Sequence, residues 1–154
     1  MVISEKVSLR EKNWFKTGGF ADFYCEPENS YDFIEALSFA NSKKIEVFIL
    51  GEGANLLFSD EGFKGLVIKP KLCNMEINQK NLDHAHVKAG CGCKMEELIE
   101  FCFANNLTGL EEFSGIPGSI GGSVYINLHY MEFLLSSFLV SATLLSKELK
   151  IFSV

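Results

Sequence analysis

Apolar and polar positions divide the first seventy residues into short segments. Ala21 to Glu26 alternates as Ala-Asp-Phe-Tyr-Cys-Glu and then meets Pro27, which predicts a strand stopping at a turn. Phe33, Ile34, Leu37 and Ala40 recur at helical spacing, with Ser30 as the predicted N-cap and polar Asn41-Ser42-Lys43-Lys44 closing the segment. Val47-Phe48-Ile49-Leu50 is a short apolar run ending at Gly51, the pattern of a buried strand that delivers a loop. Phe58-Ser59-Asp60-Glu61-Gly62 reads as a turn and Gly65-Leu66-Val67-Ile68 as a further strand. Strand, helix, strand, loop and strand together predict a small α+β lobe over residues 1–70.

The pattern restarts around Pro70 to Asn74. His84 to Ala89 alternates as a strand into Gly90-Cys91-Gly92, and Met95, Leu98, Ile99 and Cys102 mark a second amphipathic helix. Phe138 to Leu145 predicts a strand, and Lys147-Glu148-Leu149-Lys150 a turn into Ile151-Phe152-Ser153-Val154. The order echoes the first lobe without a residue-level repeat, so residues 71–154 are expected to form a second, partial lobe.

Composition narrows the class. The chain has 154 residues, 47% hydrophobic and 22% charged, which suits one ordinary domain or two small lobes. Its net charge of -6 supplies no basic field for nucleic acid or an anionic membrane, so an anionic ligand would need local backbone donors. Five cysteines are an odd number, and Met1-Val2-Ile3-Ser4-Glu5-Lys6 does not start a secretory signal, which predicts a reduced, cytoplasmic protein. Ile116 to Ser146 is nearly uncharged, but Glu132 interrupts it and Phe133 to Leu145 is too short to span a bilayer. Buried sheet and helix are expected there instead.

Two glycine loops carry the candidate chemistry. The first, Gly51-Glu52-Gly53-Ala54-Asn55, follows a predicted strand, where backbone amides can point outward at a ligand. A Rossmann fingerprint would need a third glycine where Leu56 stands, and the Gly-Lys-Ser/Thr of a P-loop is absent. On its own the loop fits a plain tight turn as readily as a ligand contact. The second loop runs from Gly115 to Ser123 as Gly-Ile-Pro-Gly-Ser-Ile-Gly-Gly-Ser. So many positions without side chains let the backbone approach a bulky ligand, while Ser119, Ser123 and free amides can donate to diphosphate oxygens. Pro117 gives up its own donor. Ligand cradling is the favoured reading, although a purely structural loop stays open.

Three blocks, in order and spacing, resemble the UDP-N-acetylenolpyruvoylglucosamine reductase (UDP-N-acetylmuramate dehydrogenase) family: Asn13 to Asp22, Ile49 to Gly65, and Gly109 to Ser123. The resemblance covers most of residues 10 to 127. It implies an α+β fold of the p-cresol methylhydroxylase and vanillyl-alcohol oxidase type, with FAD between two small lobes and the second lobe incomplete here. It also implies that Gly51, Glu52, Gly53, Ala54, Asn55 and Leu56 contact the FAD diphosphate region. Gly115, Ile116, Pro117, Gly118, Ser119, Ile120, Gly121, Gly122 and Ser123 would line the flavin, with Gly90 assisting. Family members use NADPH as hydride donor and reduce UDP-N-acetylglucosamine-enolpyruvate to UDP-N-acetylmuramate in peptidoglycan precursor synthesis. Their proton-donating serine, with its helper glutamate and arginine, lies in blocks that residues 1–154 do not contain, so no catalytic residue is assigned and the C-terminal substrate-binding domain is expected to be absent. After Asn127 the chain departs from the family's pattern, with Leu128-His129-Tyr130-Met131-Glu132.

Other constellations are weaker. His84, His86, Cys91 and Cys93 tempt a metal reading, but ligands separated by a single residue are unusual for structural zinc, and no metal is expected. Ser119 and Ser123 lack a nucleophile-elbow pattern, and Glu111-Glu112 reads as a solvated pair. Three functional readings remain: the FAD-dependent reductase, a truncated, non-catalytic FAD-binding module, and, least favoured, a different oxidoreductase of the same flavin fold.

Overall fold

The computed structural model describes residues 1–154. Ser4–Ser8 (β1), Phe20–Cys25 (β2), Ser30–Lys43 (α1), Glu46–Ile49 (β3) and Phe63–Ile68 (β4) build the first half. They form a four-stranded sheet in the order β1-β2-β4-β3. β1 pairs antiparallel with β2, whereas β4 pairs parallel with both β2 and β3. The last strand in sequence therefore sits between the two that precede it.

Alternation along β4 explains the layering, because successive side chains of a strand face opposite ways. Leu66 and Ile68 turn to Ala36 and Ala40 of α1, together with Cys25, while Val67 turns to Leu9, Ala21, Tyr24 and Leu50. All three β4 residues are fully buried. The expected helix is present, but its cap is Asn29, whose side chain accepts from Asp32 N at 2.9 Å; Ser30 is already inside the helix. The run 47–50 differs from expectation as well. β3 is an edge strand, and Ile49 is 50% exposed. An uninterrupted apolar run is equally compatible with an edge strand when a helix covers one face and a loop the other.

The second half contains Met75–Lys80 (β5), Ala85–Ala89 (β6), Met95–Ala104 (α2), Ile120–Tyr125 (α3), His129–Tyr130 (β7), Phe133–Leu134 (β8), Thr143–Leu145 (β9) and Ile151–Ser153 (β10). It has three two-stranded pairs and no larger sheet. Its core gathers Met95, Leu98, Ile99 and Cys102 of α2 with Phe113 and Leu135. These include all the α2 positions that the helical spacing picked out. The predicted strand over 138–145 is shorter, only Thr143–Leu145, because Phe138 to Ser141 has no strand alongside it, while Ala142 exchanges backbone bonds with Val154 at the end of the pair; the turn at 147–150 does join it to β10.

The fold is thus α+β throughout. No helix is long and apolar enough to cross a membrane.

Candidate functional site

Parallel pairing brings the carboxyl ends of β2, β3 and β4 to one edge: Cys25 and Ile49 both stand beside Ile68. Crevices outside the carboxyl ends of parallel strands are where open α/β sheets receive ligands. Leu50 extends the pairing by one bond, its N–H donating to Ile68 O at 2.8 Å, and the chain then leaves the sheet as the first glycine loop. From Gly51 to Asn55 no backbone N–H donates to another protein group. Unpaired donors of this kind are uncommon in folded chains unless solvent or a ligand receives them.

The loop is held from behind. Trp14 N donates to Gly53 O at 3.2 Å, and since the C=O and N–H of a trans peptide point in opposite directions, this turns the Ala54 N–H away from Trp14. Gly53 has φ +69°, and a β-carbon there would stand 2.6 Å from Asn13 Cβ, so both conformation and space demand glycine. Asn13 closes its own loop, its Nδ2 donating to Leu9 O at 2.7 Å and Thr17 O at 2.8 Å. Its Oδ1 and Thr17 Oγ1 are buried without a partner.

A charged group lies under the loop. Lys69 Nζ stands 3.5 Å from Glu52 Oε1 and donates to Lys12 O at 3.4 Å. Lys12 Nζ lies 3.4 Å from Glu26 Oε1 and 4.7 Å above the Tyr24 ring, and the Tyr24 hydroxyl donates to Glu26. Burial pushes the Glu26 carboxyl up, but the Tyr24 hydroxyl, Lys71 and Lys12 outweigh it and leave the group below the usual carboxylate range. Burial, then the bond to Glu26, pushes the Tyr24 hydroxyl well above its ordinary value. A groove of about 800 Å³, lined in part by Glu26, Asn29, Lys71 and Asn74, opens beside this cluster.

The second glycine loop is built otherwise. Met95 N donates to Gly118 O at 3.0 Å, Ile120 N to Cys93 O at 2.8 Å and Gly121 N to Cys91 O at 2.9 Å, stitching the loop to the segment leading into α2. Ser119 caps α3, its oxygen accepting from Gly122 N at 3.2 Å, and Ser123 N donates to Ser119 O at 2.9 Å. Only Gly115, Gly118 and Ser119 keep amides without a protein acceptor. Residues 120–123, expected as open loop, are therefore the first turn of a helix, because Ser119 supplies the cap that starts one. Ile116 and Ile120 pack partly buried against the Met95 core, and their amides are spent on Phe113 O and Cys93 O.

The two loops meet. A β-carbon added at Gly51 would collide with Ser119 Oγ, which places the donors of one loop directly against the cap of the other. Gly90 is near but committed: its N–H donates to Asn74 O at 2.9 Å, and its α-carbon lies against Leu72. Leu56 packs partly buried against the Leu9 and Leu50 core. Glu111 is no solvated partner of Glu112, since its carboxylate accepts from Gly109 N. No group of His, Cys, Asp and Glu is placed to hold a metal ion, and all five thiols are free. Residue reading missed Lys12, Tyr24, Glu26 and Lys69, which carry no motif, whereas Asn13, Trp14 and Thr17 fell inside one of the quoted blocks.

The family model described as FAD binding domain matches residues 21–148. The chain belongs to the FAD-binding domain family. Unengaged amides and a glycine cradle fit the diphosphate of such a cofactor. This FAD-binding domain is similar to the UDP-N-acetylenolpyruvoylglucosamine reductase of Desulforamulus reducens, 35% identical over 140 residues, covering 91% of this chain and 45% of that protein. The Treponema denticola enzyme of the same name is 38% identical over 120 residues, covering 77% and 37%. The domain thus spans under half the length of these curated relatives. In fold it matches the crystal structure of the Thermus caldophilus reductase, with a TM-score of 0.71 at 23% identity over 92% of this chain and 49% of that one.

Proposed function

We propose that this chain is the FAD-holding part of a UDP-N-acetylenolpyruvoylglucosamine reductase. In this reading the amides of Gly51, Glu52, Gly53, Ala54 and Asn55 bind the diphosphate, and residues 115–123 face the flavin from the second half. The observation that carries it is the contact of Gly51 with Ser119, which joins an open row of donors to a helix-capping loop. When bound, FAD supplies hydride transfer from NADPH to the enolpyruvyl double bond of UDP-N-acetylglucosamine-enolpyruvate. The chain's own residues bind and orient: Gly53 O tied to Trp14 fixes the direction of the Ala54 donor, and Leu56 and Leu50 shield the loop's inner side from water. In this reading the chain serves peptidoglycan precursor synthesis in the cytoplasm, and its five thiols are free.

A second reading, FAD binding without turnover, is favoured by Ser119. Its oxygen accepts from Gly122 N as a helix cap, and at 3% exposure the residue offers no open hydroxyl for proton donation.

Titrating the purified chain with FAD, followed by flavin fluorescence and absorption, tests the shared part of both readings. Saturable binding of one FAD per chain is expected, and no binding would sink both. NADPH oxidation that depends on the enolpyruvyl substrate then selects the first reading; its absence selects the second.

A further inference from the structure

Lys69 is 9% exposed in a chain of net charge -6, and it follows directly on the central strand of the sheet. Its backbone is fixed, the N–H donating to Cys25 O at 2.9 Å. Its ammonium touches only two groups that the structure identifies, Glu52 Oε1 at 3.5 Å and Lys12 O at 3.4 Å. A buried ammonium is expensive unless paired, and an apolar side chain of similar length would fill the same space. The sheet has no use for a charge there. The loop does.

Glu52 sits in the middle of the open amides, and its side chain is 26% exposed. A free carboxylate among donors aimed at an anion would repel that anion and could itself fold over to accept from them. Pairing with Lys69 removes both difficulties, because the ammonium cancels the charge and anchors the carboxylate on the Lys12 side, behind the loop. We propose that Lys69 is a positioning residue for the anion-binding loop, neutralising Glu52 and holding it away from the amides of Gly51 to Asn55. This rests on the reading of that loop as the FAD diphosphate site. Direct contact of Lys69 with phosphate is the rival role, and it is disfavoured because the side chain is 11% exposed and already engaged.

The rival roles separate in a double-mutant cycle. FAD affinity is measured by flavin fluorescence for the wild-type chain, Lys69→Met, Glu52→Gln, the double variant and Lys69→Arg. Removal of one partner from a buried charge pair should leave Lys69→Met weaker by about tenfold or more. Glu52→Gln should bind within about threefold of wild type or tighter, since it leaves a cation beside the anion. The double variant should return to within about threefold of wild type, and Lys69→Arg should stay close to it, because the guanidinium keeps the charge.

Equal weakness of Lys69→Met and the double variant would overturn the proposal in favour of direct or purely structural action. Unchanged binding by Lys69→Met would overturn it outright. Amide resonances of Ala54 and Asn55, followed without any cofactor, supply an independent readout: they should move in Lys69→Met and stay in place in Lys69→Arg, and unmoved resonances in Lys69→Met count against the proposal. If the wild-type chain takes no FAD, the cofactor reading falls, and these resonances alone decide whether Lys69 positions the loop.

Discussion

The two glycine loops look alike in composition and differ in what their backbones do. From Gly51 to Asn55 every amide is without a protein acceptor, whereas between Ile120 and Ser123 every amide is used. The second loop carries more glycine, yet it spends its donors on Cys91, Cys93 and the Ser119 cap. Glycine density therefore measures how closely backbones can approach, and the hydrogen-bond pattern measures what they can still bind. The first loop is a row of donors, and the second is a brace that holds it in place.

The strongest way to break this division is to force the loops apart. Gly51→Val would place branched carbon where Ser119 Oγ stands, and FAD affinity should fall about a hundredfold, since overpacking a fixed contact displaces backbone. Ser119→Gly in the same chain should restore part of the loss, as read by fluorescence titration; no restoration would mean that the loops do not meet there.

A smaller effect separates strain from space. Gly53→Ala meets both a φ of +69° and Asn13 Cβ, and should cost about 2 kcal/mol in urea unfolding. Gly115→Ala, at φ +78° with nothing within 4 Å, should cost about 1 kcal/mol. Equal losses would show that packing of the first loop on Asn13 contributes nothing. Ser119→Ala removes the cap of α3 and should cost about 1 kcal/mol, with its stability loss visible in the chain free of cofactor.

The smallest effect concerns the cluster under the first loop. Glu26 is held below its ordinary value in the folded state, so it adds stability above roughly pH 4.5 that is lost as pH falls through the folded value. The side chain is 35% exposed, which limits the contribution to about 0.5 kcal/mol. Glu26→Gln should flatten the acid arm of a melting-temperature profile by that amount, and an unchanged arm would remove Glu26 from the account.

What was legible in the sequence was local. Met95, Leu98, Ile99 and Cys102 have the spacing of one helical face and do form the second core. Gly51 follows a strand, as the run before it announced. β1 and β5 escaped notice because Ser-Glu-Lys-Val-Ser and Met-Glu-Ile-Asn-Gln-Lys are mostly polar and take their order from pairing partners. The site escaped for a related reason. Lys69 meets Glu52 only once parallel pairing has brought separate strand ends to one edge, and Gly51 meets Ser119 only once the cap of α3 has packed against that edge. The Asn29 cap, one residue from the expected Ser30, shows how two neighbouring cap formers leave a helix start ambiguous by composition alone.

The central place of β4 has a consequence for synthesis on the ribosome. β2 can pair early with β1, but β2 and β3 have no partner in each other, and the second edge of β2 and all of β3 wait until residues 63–68 have cleared the exit tunnel. Until then the nascent chain displays two open strand edges beside an uncovered α1, a sticky interval that trigger-type chaperones are suited to shield. Closure of the sheet and arrival of Lys69 under the donor row then follow within a few codons of one another, whereas the Ser119 brace comes only with the second half.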